Sequence, residues 1–250
     1  MKRFSAWQNR GTLLFGLLIG PIGVYIRRHT PETPEFVAMQ AEAPAALQER
    51  SPLRDTLTQG LPGLLLGAGV VVAVTAFNYV QKVYMPTYAI NQLHIATSAS
   101  LVCTMITGAM LMVMAPAFGL LADRFGSIRV VSIAMVVIAL STYPMFATLV
   151  AQPTFWTLLV MQAIVGVLLA AILAPLPALL ADIFPTRNRG TGLALSYNLS
   201  VTIFGGFSPL IVTWLIGVTH IKTSPSFYVF ATTLVSLASL WMLRGRARAH

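Results

Sequence analysis

Six stretches of predominantly apolar sequence, each long enough to cross a bilayer as a helix, constrain this chain more than any other feature. They run over 61–84, 98–121, 128–150, 154–180, 191–218 and 226–243. A hydrocarbon core about 30 Å thick needs roughly 20 such residues. A seventh stretch, 11–26, is shorter and interrupted by Pro21. Composition leaves no soluble alternative. Of the 250 residues 56% are hydrophobic and 9% charged, where a soluble domain carries about 25% charge. Mean hydropathy is +0.77. So few charges cannot coat a globule of this size, so lipid must be the solvent for most of the surface. The expected fold is an all-α membrane protein with six to seven transmembrane helices. Internal Gly and Pro are no objection, because membrane helices tolerate both.

Between the first two stretches the composition changes. Residues 27–60 hold Glu32, Glu35, Glu42 and Glu49, together with Pro31, Pro34, Pro44 and Pro52. That is a solvated connection between two membrane parts. Four sections are therefore expected: a tail and first span over 1–26, the loop 27–60, a six-helix body over 61–243, and a basic tail over 244–250.

Lysine and arginine set orientation. With 11–26 counted as the first span, the loops after odd-numbered spans and the C-terminal tail hold eleven of the sixteen Lys and Arg. They include Arg27, Arg28, Arg50, Arg54, Arg124, Arg129, Arg187, Arg189 and Arg244. That side, and with it the C-terminus, is expected to be cytoplasmic. The net charge of +9 is then topological, and nucleic acid is not an expected partner. Lys2, Arg3 and Arg10 lie on the wrong side for this topology. Either 11–26 does not span, or the natural N-terminus lies elsewhere, or the segment is a secretory signal.

One turn carries a motif. Gly119-Leu-Leu-Ala-Asp123-Arg124-Phe-Gly126-Ser-Ile-Arg129 lies between the stretches at 98–121 and 128–150. Gly119 is expected to let two helices approach closely. Asp123 is expected to cap the next helix, Gly126 to supply the turn, and Arg129 to anchor at the headgroups. A capped turn with no mobile role explains the same residues.

The motif resembles the G-x-L-a-D-r-x-G signature of the major facilitator superfamily, matching at Gly119, Leu121, Asp123, Arg124 and Gly126. It departs at Ser127 and Ile128, where the family carries Arg or Lys. Further along, Leu176-Pro-Ala-Leu-Leu-Ala-Asp182-Ile-Phe184-Pro185-Thr-Arg187-Asn-Arg189-Gly-Thr-Gly192 leads to Tyr197-Asn198 and Phe204-Gly205-Gly206-Phe207. With Tyr84-Met-Pro86-Thr-Tyr88, these resemble the metabolite:proton symporter branch, whose members carry citrate, dicarboxylates, shikimate or proline and betaine. The resemblance covers residues 11 to 243. It implies the C-terminal half of the fold, a 3+3 inverted repeat, preceded by the sixth helix. The first five helices have no counterpart, which implies a truncated or split carrier. The implied partners are the bilayer, a small organic acid and a proton, with a missing N-terminal half or a second copy. The implied location is a bacterial-type inner membrane, multi-pass.

Polar groups inside membrane helices are functional suspects, though many only bond a neighbouring helix. Asn78, Tyr79, Gln81, Lys82 and Tyr84 close the 61–84 stretch. Asn78 and Lys82 are four apart and share a face. Lys82 is the one cation inside a span. Either it meets a carboxylate substrate, or it snorkels to the interface. Gln162 is a cavity group or a helix–helix bond. Tyr197 and Asn198 are the expected cavity residues of their span. Gly166, Gly205 and Gly206 are expected packing or bending points, and Pro86, Pro175 and Pro177 expected bends. Asp182 with Arg187 and Arg189 forms either a cytoplasmic gate, as the resemblance implies, or a solvated turn. The histidines His29, His94, His220 and His250 are scattered, with no metal-ligand spacing. No phosphate-binding glycine loop occurs, and nothing supports an enzyme or a cofactor. The expected function is proton-coupled import of an organic acid such as citrate as part of a complete symporter. A non-transporting fragment or a half-carrier interaction module is the alternative.

Overall fold

Each of the six long stretches is a helix of membrane-crossing length: α1 Leu61–Asn91, α2 Thr97–Phe125, α3 Ser127–Ala151, α4 Phe155–Ala181, α5 Arg189–Thr219 and α6 Ser224–Gly245. The structure is a computed structural model that describes residues 20–21, 23–25, 60–186 and 188–247. The chain divides into two units, Met1–Glu49 and Arg50–His250. In the first, Gly20, Pro21 and 23–25 are helical. The rest of the expected 11–26 span lies outside the described residues, as does the 27–60 connection short of Gly60. All six long helices belong to the second unit. There are no strands among the described residues.

Two helix ends differ from expectation. The first helix runs on through Pro86 to Asn91 instead of stopping near Tyr84. Pro86 sits where the π segment Tyr79–Tyr84 passes into the continuing helix, and does not end it. The last helix continues to Ala247, so the expected 244–250 tail begins as helix.

Helix α1 is the hub. It packs against α5, α6 and α4, and 72% of its most apolar window is buried, against 11% for α2. Apolar burial does not drive helices together in lipid, where close packing and interhelical hydrogen bonds take over. Small residues on α1 allow both. A Cβ on Gly67 would lie 2.8 Å from Ser196 Oγ, and one on Gly69 would overlap Ser239. From α5, Ser196 Oγ donates to the Leu64 carbonyl at 3.2 Å and Ser200 Oγ to Ala68 at 2.7 Å. From α6, Ser236 Oγ donates to the Gly69 carbonyl at 2.6 Å and accepts from Ala73 N–H at 2.8 Å.

The packing repeats. Exchanging α1–α3 for α4–α6 maps the α1–α5 contact onto α4–α2, and α1–α6 onto α4–α3. The α1–α4 and α3–α6 contacts map onto themselves. The partners are three positions apart in a chain of alternating up and down helices, so they run in opposite directions and the repeat is inverted. Both central helices are interrupted. In α1 an 18-residue helix passes into a π-helical segment, Tyr79–Tyr84. In α4 a 19-residue helix breaks at Ala174–Pro175. Pro175 is therefore a break, whereas Pro177 sits in the first turn of the short helix that follows and bends nothing. Helix α5 holds a second π segment, Val201–Gly206, just ahead of Pro209.

Gly166 is the tightest point of the α2–α4 seam. A Cβ there would lie 2.6 Å from Met110 Cβ and 2.7 Å from the Thr107 carbonyl. The turn motif is partly as expected. Gly126 has φ +91°, a conformation that favours glycine, and its N–H donates to the Ala122 carbonyl at 2.8 Å. Two expectations fail. Asp123 lies inside the last turn of α2 and caps nothing, since Gly126 occupies the cap position of α3 without a side-chain bond. No atom lies within 4 Å of a Cβ built on Gly119, so among the described residues it serves no close approach.

Gly166→Val should lower unfolding stability in micelles by about 2 kcal/mol, the usual scale of overpacking, while Gly119→Val leaves it unchanged. Denaturant titration followed by helicity measures both.

Candidate functional site

The polar groups buried deepest in the bundle lie where α1, α2 and α4 meet. Gln81 and Gln162 are both fully buried. Gln162 Nε2 donates to the Gln81 carbonyl at 3.2 Å. Thr107 Oγ1 on α2 donates to the Gln162 carbonyl at 3.0 Å. The Gln162 side chain thus makes a helix–helix bond, one of its two expected roles. Among the described residues its Oε1 has no partner, and neither has Gln81 Oε1 or Nε2. Three amide atoms in a membrane interior without partners are costly. Gln81 lies on the inward face of α1, four residues after the buried Phe77 and three before the buried Tyr84. Gln81 stands in the sequence beside the expected candidates, and its α-helical spacing from Phe77 and Tyr84 is the signal that could have found it.

Tyr79 opens the same segment. Its ring lies over Gly205 in the π segment of α5, where a Cβ would sit 2.9 Å from the ring. The two irregular segments therefore meet at one tyrosine–glycine contact. Gly206 is different: a Cβ there would have only an ordinary contact at 3.8 Å, so its expected close packing is absent. Tyr84 is 6% exposed, and its hydroxyl accepts from Thr213 Oγ1 at 3.4 Å. It stacks toward Tyr88 at 6.1 Å, which packs edge-on to Phe146 at 5.7 Å. Tyr84 is thus a packing residue between α1 and α5 and not an open cavity wall.

Asn78 and Lys82 are half-buried. Asn78 Oδ1 is unpartnered. Lys82 lies nine residues short of the end of α1, or about 13 Å along the axis. Every other described cation within α1–α6 lies in the first or last turn of its helix. Lys82 has no ion-pair partner among the described residues. On α5, Tyr197 and Asn198 are exposed, and Asn198 Nδ2 donates back to the Ala194 carbonyl at 2.8 Å. Both face away from the bundle's core.

Arg124, Arg129, Asp123 and Asp182 gather at the opposite end from Lys82. Arg124 lies 5.4 Å from the Phe125 ring. Asp182 lines a cleft of ≈ 820 Å³ with Arg129 and Arg244. Of the other expected gate residues, Arg187 lies outside the described residues, and Arg189 is half-buried at the start of α5. Asp123 and Asp182 are the only described acids, so no described acid lies deep in a helix. No group of three or more metal-ligating side chains occurs among the described residues.

Residues 67–250 match the family model of the Major Facilitator Superfamily. The chain belongs to that superfamily. The citrate-proton symporter of Klebsiella pneumoniae is 35% identical over 98% of this chain and 54% of its own length. The ectoine/proline transporter ProP of Corynebacterium glutamicum is 29% identical over 92% of this chain and 47% of its own. The citrate-proton symporter of Salmonella typhi is 28% identical, covering 96% and 54%. The chain spans about half the length of the curated relatives it matches. These relatives are transporters and not enzymes. With six membrane-crossing helices, the chain is a multi-pass membrane protein carrying half of the major facilitator fold.

Gln81→Leu removes two unpartnered buried atoms and should raise unfolding stability by about 1 kcal/mol, measured in micelles. Loss of stability would mean that those atoms are satisfied in the folded protein.

Proposed function

We propose that the α1–α6 bundle is one half of a proton-coupled carrier for a small carboxylate such as citrate, working with a second six-helix half. The observation that carries this reading is Lys82, a half-buried cation about 13 Å inside a helix, without an acid to pair with among the described residues. An uncompensated cation at that depth is expensive unless a ligand or water meets it. Citrate, proline and betaine share a carboxylate, which a lysine can receive. Citrate is a net anion, whereas proline and betaine bring their own cation against the lysine, and the 35% identity to the Klebsiella citrate-proton symporter points the same way.

In such carriers the substrate binds near the midplane between two halves, and one half rocks against the other. The π segments at Tyr79–Tyr84 and Val201–Gly206, joined through Tyr79 and Gly205, are where α1 and α5 yield in that motion. Asn78 and Lys82 supply the substrate contacts of α1, and the exposed Tyr197 and Asn198 face the second half or the cavity. Gln81 and Gln162 exchange their unpartnered atoms with cavity water or substrate hydroxyls as the seam opens. Asp182, Arg187 and Arg189 close the cytoplasmic side. With Asp123 and Asp182 the only described acids, both at helix ends, the proton-coupling carboxylate belongs to the second half. The bundle sits in a bacterial inner membrane with its arginine-rich end and C-terminus in the cytoplasm.

Proteoliposomes that hold the chain with a candidate second half, under an imposed inward proton gradient, test this with labelled citrate, proline and betaine. Citrate uptake is expected with the pair and not with the chain alone. Lys82→Ala should reduce it at least about tenfold, the loss of one charge-assisted contact. Tyr84→Phe should leave it within about twofold, since only the long bond from Thr213 is lost. Undiminished uptake by Lys82→Ala would sink the substrate role of Lys82. Absence of uptake of all three compounds by every pairing would favour the non-transporting alternative.

A further inference from the structure

Two cavities adjoin at the arginine-rich end of the bundle and differ in chemistry. The polar cleft of ≈ 820 Å³ is lined by the Gly126 turn, Ser127, Arg129, Asp182 and Arg244. The second cavity, ≈ 400 Å³, is almost wholly apolar. Its walls are Leu121 on α2 and Val137 on α3, and its floor is Leu168 and Ala171 on α4. The two share Phe125, Arg129 and Ile133. A single continuous groove therefore starts polar at the helix ends and becomes apolar along the bundle side.

The groove has the dimensions of one lipid leaflet. From Arg129 to Val137 is eight residues of α3, or about 12 Å, close to half of a 30 Å hydrocarbon core. Its rim faces outward: Ile133 is 66% exposed and Val137 43%. The cause is local. α2 and α3 are joined by the single-residue turn at Gly126, but each packs mainly on other helices: α2 on α4, α3 on α6 and α4. Their outer sides diverge and leave the small side chain of Ala171 as floor.

Charge selects the headgroup. Two arginines and one acid give the cleft a net positive charge. Arg244 is held in place, donating from its guanidinium to Ser132 Oγ at 3.2 Å. Arg129 lines both cavities, and an arginine at such a junction can lay its stem along apolar walls with its guanidinium in the polar part. We propose that this groove binds an anionic phospholipid, with the phosphate received by Arg129 and Arg244 and one acyl chain along α3 between α2 and α4. A zwitterionic headgroup would bring its own cation against the arginines. A soluble anion would leave the apolar half unused. The site is separate from Lys82, which lies toward the other end of the bundle, and it stands whatever the carrier transports.

The test uses the full chain, purified and stripped of lipid. It is mixed with equal amounts of phosphatidylglycerol and phosphatidylcholine of the same acyl chains, and the lipid retained is counted by native mass spectrometry. Phosphatidylglycerol should be retained in preference by about thirtyfold, the scale of two cations at a lipid surface. Arg129→Gln with Arg244→Gln should abolish the preference. The exposed Arg129→Gln alone, which leaves the Ser132 bond intact, should lower it by about fivefold. Val137→Trp should reduce retention of both lipids by filling the groove. Lys222→Gln, which removes a cation from the opposite end, should change nothing. Unchanged preference in both arginine variants would overturn the proposal. So would displacement of the lipid by glycerol 3-phosphate, which has the anionic group without the chains. Loss of preference in Lys222→Gln as well would also overturn it, since net charge alone would then be at work.

Discussion

Backbone-to-backbone approach along α1 is the constraint on which the rest of this structure depends. In lipid a leucine gains nothing by leaving the solvent, so helices must find another reason to meet. Here the reason is small residues and hydroxyls. Gly67 and Gly69 let α5 and α6 come close enough for Ser200 and Ser236 to reach main-chain carbonyls of α1. Gly166 does the same for α2 and α4. Each such bond is worth only about 0.6 kcal/mol, so geometry matters more than any single contact. A methyl group added at one of these glycines separates the helices and loses several contacts together.

With α1 held on three sides, its irregular part acquires a purpose. The π segment at Tyr79–Tyr84 interrupts the central helix on one side of the bundle, and the break at Ala174–Pro175 interrupts α4 on the other. The two are related by the internal inverted repeat. Irregular backbone at membrane depth is tolerated only inside protein or along a water-filled cavity. The fully buried Gln81 and Gln162 and the half-buried Lys82 gather around the first of these interruptions. A bundle of regular helices would have no use for three unpartnered amide atoms and an unpaired cation in one region.

The bundle's two ends divide the work. One gathers Arg124, Arg129, Asp182 and Arg244 at the helix ends, where a membrane protein can expose charge at little cost. The other carries Tyr88, whose hydroxyl donates to the Lys222 carbonyl at 2.7 Å and ties the end of α1 to the α5–α6 loop. Between them α2 and α5 present broad apolar faces, with Met105 and Met112 on α2 and Leu210 and Trp214 on α5 more than 60% exposed. A second six-helix half and lipid both suit such faces.

Helix number, approximate bounds and the placement of charge were legible in the sequence, because the bilayer imposes a length and a hydropathy on each span whatever its neighbours. The Gly126 turn was legible too, since a positive φ selects glycine. Contacts between helices were not. Gly119 and Gly166 look alike in the sequence, yet one faces open space and the other touches a neighbouring backbone. Tyr84 and Tyr197 both read as cavity residues, yet one is packed away and the other exposed. Asp123 had the spacing of a cap, but α2 runs past it and takes it in. Gln81 shares an α-helical face with Phe77 and Tyr84, but the π segment that carries it is not announced by that spacing. Local chemistry and the lipid solvent determine which segments become helices. Which face of each helix meets a neighbour is a property of the assembled bundle, and only the tertiary structure decided it.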